Sequence, residues 1–131
     1  HHEQAASFAA VGYARIRNGI GVCMVTTGPG GVNALTGLSA AWLDSIPCIF
    51  ISGQVRLSHM GQGSKVRQVG VQHMNTIDIV KPLTKFAVTI EDPKSIRYHL
   101  EKAAWLAQNG RPGPVWIEIP LDLQWASILG I

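Results

Sequence analysis

Residues 20–43, with the sequence IGVCMVTTGPGGVNALTGLSAAWL, contain an apolar run, a glycine-rich turn and a second apolar segment in direct succession. The run Ile20–Thr26 is short and continuous, which is typical of a buried strand. In Val32–Leu43 the apolar residues recur at helical spacing, which predicts a helix. A strand that leads through a tight turn into a helix is the repeating unit of a parallel α/β sheet.

The rest of the chain repeats this alternation of strand and helix. Three further apolar runs predict strands covered on both faces: Pro47–Ser52, Lys85–Ile90 and Pro114–Ile119. Helical spacing of apolar residues predicts three further helices: Glu3–Arg17, Thr76–Val80 and Pro93–Gln108. The alternation predicts an α/β fold with a doubly wound, mostly parallel sheet and helices on both faces.

The composition is that of a globular protein that buries a core. Of the 131 residues, 47% are apolar and 15% are charged, and the formal net charge is +3. This balance excludes an intrinsically disordered chain, and the length suits one domain. No run approaches the ~20 apolar residues of a membrane span, and no aromatic residues alternate with the basic ones, so we expect neither a membrane nor a nucleic-acid partner. Cys23 and Cys48 lie in predicted strands, which favours buried free thiols and a cytoplasmic location.

The stretch Gln54–His73 is a long glycine-containing segment without helical or strand periodicity. Loops of this length inside a compact domain are uncommon and often functional, although a disordered excursion is the alternative. Its basic residues Arg56, Lys65 and Arg67 stand without any acid between Asp44 and Asp78. They therefore belong either to a solvated loop or to a loop that faces an anionic ligand.

The turn Gly28–Gly31 is the first candidate for a binding site, because glycines let a ligand approach the backbone at the start of a helix. It is not a dinucleotide fingerprint, since Asn33 occupies the position of the third glycine, and no Gly-Lys-Ser/Thr follows as in a phosphate loop. A tight strand-to-helix turn needs Gly and Pro for structural reasons alone. Both interpretations stay open from the spacing.

Glu3 is the second candidate. A glutamate in the first turn of a helix is commonly a favourable partner of the helix dipole. The alanine-rich surroundings of Glu3 also allow a desolvated carboxyl with a raised pKa, which suits a proton-sharing catalytic group. The five histidines show no spacing typical of a zinc site, so we predict no metal ligands.

Six segments in the same order resemble one known family, the thiamine diphosphate enzymes. The resemblance is to their N-terminal, pyrimidine-binding domain, and most of all to the large catalytic subunit of acetolactate synthase. It extends over residues 1–126. The segments are His2–Ala6, Gly12–Arg15, Thr27–Asn33, Leu43–Pro47, Ile51–Val55 and Gly110–Val115.

The resemblance implies roles for five residues. Glu3 matches the glutamate that bonds the N1′ nitrogen of the cofactor's aminopyrimidine and shares the proton by which the cofactor is activated. Pro29 and Asn33 match positions beside the pyrimidine ring, and Gln72 matches a catalytic glutamine near the reacting carbon. Arg111 matches an arginine that contacts FAD in acetolactate synthases.

The resemblance also implies a larger enzyme. We expect the first strands of the sheet to precede His1, residues 127–131 to begin a linker to a middle domain, and Mg²⁺ and the cofactor's diphosphate to bind a separate C-terminal domain. The implied reaction is decarboxylation of a 2-keto acid such as pyruvate, followed by transfer of the resulting unit to a second carbonyl. A homodimer or tetramer is implied for the full-length chain, and this chain alone is expected to be inactive.

Three positions depart from the acetolactate synthase pattern. Val71 replaces a Phe, His73 replaces a Glu, and Leu121 replaces the Lys of a Pro-Lys-Asp motif. These departures leave open a decarboxylase or aldehyde lyase of the same superfamily, and whether FAD is bound. Arg67 is then a candidate to recognise the substrate carboxylate. A non-catalytic ligand-binding module is the more distant alternative.

Overall fold

The computed structural model describes residues 2–61 and 65–128. Within them four strands form a single parallel sheet in the order β1-β2-β4-β3. The strands are β1 Gly21–Val25, β2 Cys48–Gln54, β3 Ala87–Thr89 and β4 Val115–Pro120. Each lies inside or within two residues of a predicted apolar run. The α/β fold with a parallel sheet is thus confirmed.

The helices also follow the predicted pattern, with three differences, one of which is an additional short helix after β4. The bounds are α1 Glu3–Arg17, α2 Pro29–Asn33, α3 Leu35–Leu43, α4 Thr76–Val80, α5 Ile96–Gln108 and α6 Leu121–Gln124. The single helix predicted over Val32–Leu43 is wrong, because a bond from the Ala34 N–H to the Gly31 carbonyl tightens the backbone and separates α2 from α3. The first turn predicted for α5 is a 3₁₀ turn, Pro93–Ser95.

The sheet separates two apolar cores, one on each face. On the first face, α1 and α3 pack over β1 and β2, and Phe50 stacks on Trp116 with ring centroids 5.4 Å apart. On the second face, α5 covers β4 and β2 around Val115 and Ile117. Helices therefore lie on both faces of the sheet, as the alternation predicted.

Strand β1 departs from the expectation of burial on both faces. Cys23 and Val25 are buried on the first face, whereas Val22 is 57% exposed and Met24 is 73% exposed on the second. The cause is topological, because β1 is an edge strand of the described sheet and α5 packs over its other strands. The prediction of two covered faces is wrong for this strand in the described part of the chain.

Other expectations concern the cysteines, the long loop and the C-terminal segment. Cys23 and Cys48 are free and buried, as predicted, and burial raises the pKa of the Cys48 thiol to about 11. The long loop contains a 3₁₀ turn, Leu57–His59, while its residues 62–64 lie outside the described residues. The expected linker 127–131 lies mostly outside them too. No helix in the described ranges is long and apolar enough to cross a membrane.

Candidate functional site

A pocket of about 690 Å³ opens where β1 ends and α1 and α2 begin. Its size lies in the range of ligand-binding pockets, and the carboxyl ends of parallel strands are the usual place for them. Four of the five predicted site residues meet there, although they are up to 69 positions apart. The lining consists of Glu3, Thr26, Thr27, Pro29, Gly30, Val32, Asn33, Thr36, Gln72 and Met74.

Glu3 and Asn33 form a side-chain hydrogen bond inside the pocket. The Asn33 amide Nδ2 donates to Glu3 Oε2 over 2.9 Å. This bond, together with the backbone N–H of Glu3 itself, lowers the pKa of the Glu3 carboxyl below its ordinary value. The expectation of a pKa raised by burial is therefore wrong for this structure, because the carboxyl is only partly buried and two donors stabilise its charged form.

Helix α1, which carries Glu3, is held in place by two close glycine contacts. A Cβ atom at Gly21 of β1 would overlap the Ala10 carbonyl group of α1. A Cβ atom at Gly37 of α3 would lie 2.8 Å from the backbone carbon of Ser7. These glycines let α1 approach β1 and α3 at backbone distance, which fixes where its first turn points.

The glycines of the Gly28–Gly31 turn serve both the tight turn itself and the wall of the pocket. Gly28 has φ +57°, and a Cβ there would overlap the Gln72 carbonyl oxygen, so this glycine is required by the fold. Gly30 lines the pocket, where a Cβ would lie 3.6 Å from Glu3 Oε1 and 2.5 Å from the Thr26 methyl carbon. The turn is therefore both a structural necessity and one wall of the pocket.

Gln72 stands against this turn in an unusual backbone conformation. Its φ is +60°, in the left-handed region that side chains other than glycine rarely adopt. Such residues cluster at functional sites, where the surrounding structure maintains the strain. The predicted catalytic glutamine therefore lines the same pocket as Glu3, held by its contact with Gly28.

Arg111 lies at the opposite end of the sheet, where strands β2 and β4 begin. It precedes β4, and its Nε donates to the Ser45 hydroxyl, which precedes β2, over 2.7 Å. It lines a separate pocket of about 450 Å³ with Trp42 and Lys85. The structure therefore does not bring Arg111 to Glu3, and its contact with FAD stays a prediction. Arg67, the candidate for substrate carboxylate recognition, does not line the Glu3 pocket either.

Two buried polar residues behind the pocket were not singled out from the sequence. Gln54, at the end of β2, is 3% exposed, and Glu118 of β4 is 1% exposed. The Gln54 amide Nε2 donates to Glu118 Oε1 over 3.0 Å, and Thr27 of the pocket donates to Gln54 Oε1 over 2.9 Å. The signal for Glu118 was its charge in the middle of the apolar run Pro114–Ile119.

A parallel α/β domain with a small-molecule pocket at the carboxyl edge of its sheet is the class that this fold and site define. A profile described as thiamine pyrophosphate enzyme, N-terminal TPP binding domain, matches residues 1–80. The chain belongs to this family. The pocket residues Glu3, Pro29, Asn33 and Gln72 all fall within the matched range.

The chain is also similar to acetolactate synthase large subunits. It is 44% identical to that of Buchnera aphidicola subsp. Schizaphis graminum over 122 residues, which are 93% of this chain and 20% of the relative. It is 41% identical to the isozyme 3 large subunit of Escherichia coli K12, with the same coverage. The Lactococcus lactis large subunit is 38% identical over 99% of this chain and 22% of its own length. The chain spans about a fifth of the length of these curated relatives.

Proposed function

We propose that residues 1–126 form the pyrimidine-binding domain of a thiamine diphosphate-dependent, acetolactate synthase-like enzyme. The enzyme decarboxylates a 2-keto acid such as pyruvate and transfers the resulting unit to a second carbonyl. The observation that carries the proposal is the Glu3 carboxylate, hydrogen-bonded by Asn33 in a pocket of ligand size, in a chain of this family. Residues 127–131 would then begin the linker to the next domain.

The chemistry of the pocket fits an aminopyrimidine ring. The Glu3 carboxylate supplies an acceptor for a protonated ring nitrogen, and the Asn33 amide keeps that carboxylate oriented. Pro29 and Gly30 provide a wall without polar side chains beside Glu3. When bound, thiamine diphosphate supplies a nucleophilic carbon and an electron sink for decarboxylation, while the protein provides orientation and proton control.

Glu3 is the group that controls the proton in this proposal. Its lowered pKa favours the carboxylate form, which can accept a hydrogen bond from a protonated ring nitrogen. A ligand that covers Glu3 removes water from it, which raises its pKa and lets it hold a proton shared with the ring. Gln72 lines the same pocket, and we assign to it the catalytic contact near the reacting carbon.

Further parts of the enzyme belong to the same proposal. From the resemblance to the family, we assign Mg²⁺ and the cofactor's diphosphate to a separate domain of the enzyme. We assign to Arg111, beside Trp42 and Lys85, the contact with FAD where FAD is bound. The enzyme would act as a homodimer or tetramer in the cytoplasm.

The test is Glu3→Gln in the full-length enzyme. Glutamine keeps the shape but cannot share the proton, so turnover of pyruvate should fall at least about 100-fold while thiamine diphosphate still binds. Glu101→Gln, an equal change at an exposed ion pair with Arg97, should leave both unchanged. Full activity of Glu3→Gln would refute the assigned role.

A decarboxylase or aldehyde lyase with the same cofactor is the second candidate. Val71 and His73 flank Gln72 and, with Leu121, depart from the acetolactate synthase pattern. Product analysis with pyruvate discriminates the two. Acetolactate supports the first proposal, whereas free acetaldehyde without a joined product supports the second.

A further inference from the structure

The side chain of Gln54 uses its whole hydrogen-bonding capacity inside the protein. Its Oε1 accepts from the Thr27 hydroxyl and from the Val55 N–H, both over 2.9 Å. Its Nε2 donates to the Met74 carbonyl and to Glu118 Oε1, both over 3.0 Å. An amide offers two donors and two good acceptor positions, so no capacity is left for water.

These bonds connect the two walls of the pocket. Thr27 belongs to the turn between β1 and α2, whereas Met74 follows Gln72 in a separate segment, and both line the pocket. The two residues are 47 positions apart, and Gln54 bridges them from the end of β2. One buried amide therefore joins the two segments, in addition to the direct contact of Gly28 with Gln72.

Glu118 favours the same orientation of that amide as the Val55 N–H and the Met74 carbonyl. The reversed amide would place Nε2 against the Val55 N–H, and Oε1 against the Met74 carbonyl and the Glu118 carboxyl. Donors would then face donors and acceptors would face acceptors. Glu118 itself is fixed, because the Thr89 hydroxyl donates to its Oε2 over 2.8 Å.

A role in packing does not account for Glu118. A buried carboxyl costs free energy that an apolar side chain would not, and in the described residues neither of the two ion pairs involves it. All its partners are neutral: Gln54, Thr89 and Thr76. The acceptor for Gln54 is what the carboxyl contributes at this position.

We propose that Gln54 and Glu118 are positioning residues of the cofactor pocket and form a clamp: Glu118 helps to orient the Gln54 amide, and that amide joins the Thr27 and Met74 walls. The role of the pocket rests on the proposed function above. Neither side chain lines the pocket, so both act through the residues that do.

Gln54→Met in the full-length enzyme tests the clamp, since methionine keeps the length but forms none of the four bonds. We expect the Kd of the apoenzyme for thiamine diphosphate, at saturating Mg²⁺, to rise about 10- to 100-fold. Hydrogen exchange of residues 27–33 and 72–76 should accelerate in the same variant. Ser52→Ala is the matched control, because Ser52 lies on the same strand and accepts from Trp116 Nε1 without touching the pocket. It should lower the thermal midpoint but leave the Kd within about twofold and the exchange of both walls unchanged.

The role of Glu118 is tested by comparing a variant that keeps the acceptor with one that removes it, and by a double variant with Gln54→Met. Glu118→Gln keeps an acceptor for Gln54 and should bind thiamine diphosphate within about threefold of wild type, whereas Glu118→Leu should weaken binding about tenfold. In the Gln54→Met background Glu118→Leu should add less than about twofold, because its effect passes through the amide. Should Gln54→Met not fold, the comparison of Glu118→Leu with Glu118→Gln decides.

Two outcomes overturn separate claims. If Gln54→Met and Glu118→Leu lose thermal stability as Ser52→Ala does, yet keep the wild-type Kd and wild-type exchange of both walls, the clamp is wrong. If the wild-type enzyme does not bind thiamine diphosphate, the proposed function is wrong. The exchange measurement needs no cofactor, so it still decides the clamp in that case.

Discussion

The bond between Asn33 and Glu3 stabilises the charged form of the carboxyl in the pocket. A group whose pKa is lowered in the folded protein stabilises it above the ordinary pKa, and this contribution is lost as the pH falls through the lowered value. Removing the donor should therefore raise the pKa of Glu3 and weaken that contribution at neutral pH.

Asn33→Ala makes this testable by carboxyl NMR during a pH titration. We expect the Glu3 midpoint to move up towards the ordinary value of 4.5. Asn75→Ala removes a similar amide, which bonds Asp78 away from the pocket, and should leave the Glu3 titration unchanged. An unshifted Glu3 midpoint in Asn33→Ala would contradict the role given to the bond.

Two glycine substitutions should have opposite effects on stability. Gly28→Ala places a methyl group on the Gln72 carbonyl oxygen at a φ of +57°, and should destabilise the protein by about 1–3 kcal/mol. Gly12→Ala lies within α1, where nothing stands within 4 Å of the added carbon, and should stabilise by about 0.5–1 kcal/mol. Thermal unfolding of both variants checks the signs, and equal effects would contradict the contact.

At this scale the residues predicted for the site are those to which the family resemblance gives a role, and buried residues without such a role were missed. Glu3, Pro29, Asn33 and Gln72 were predicted and line one pocket. The pairing of Gln54 with Glu118 spans 64 positions and requires β2 to lie beside β4. Because the strand order β1-β2-β4-β3 does not follow the chain, no local pattern indicated it.

At the scale of the elements, the position of α1 depends on its contact with α3. A methyl group at Gly37 would press on the Ser7 backbone, so Gly37→Ala should separate the two helices and displace the first turn of α1. We expect a loss of about 1–3 kcal/mol in stability and a raised Kd for thiamine diphosphate, measured by denaturant unfolding and by titration. Gly12→Ala, at a position of α1 where the added methyl group has open space, is again the control. A normal Kd in Gly37→Ala would show that this contact does not set the position of Glu3.

The predicted elements succeeded where periodicity is strong and failed where tertiary contacts decide. The helix Glu3–Arg17 has the predicted bounds. However, Phe8, Tyr13 and Ile16, which belong to its predicted apolar spacing, are exposed, and a different face of the helix packs on the sheet. The break at Ala34 is invisible to periodicity, since α2 and α3 both continue the apolar spacing. Likewise, the continuous apolar run of β1 could not reveal that its second face is exposed, because burial depends on which helix reaches it.

At the scale of the whole molecule, the first core contains an ionisable group behind the pocket. Glu118 lies on the same face of β4 as Trp116, which belongs to that core, and next to Gln54 at the end of β2. Burial raises the pKa of the Glu118 carboxyl above its ordinary value, and hydrogen bonds from Thr89, Gln54 and Thr76 oppose the rise only in part. The stability of the domain should therefore carry a pH dependence that originates in this one residue.

The sign of that dependence follows from linkage. A carboxyl with a raised pKa binds its proton more tightly in the folded than in the unfolded chain. Its stabilising contribution is complete below the ordinary pKa of 4.5 and is lost as the pH rises through the raised value. The side chain in Glu118→Gln cannot ionise. As the pH rises above 4.5, its thermal midpoint should therefore increase relative to that of the wild type. The difference in thermal midpoint between Ser52→Ala and the wild type should stay constant over the same range. A gap between Glu118→Gln and wild type that stays flat or narrows would mean that Glu118 is charged in the fold at no cost, and that its neutral partners alone are enough to hold the charge.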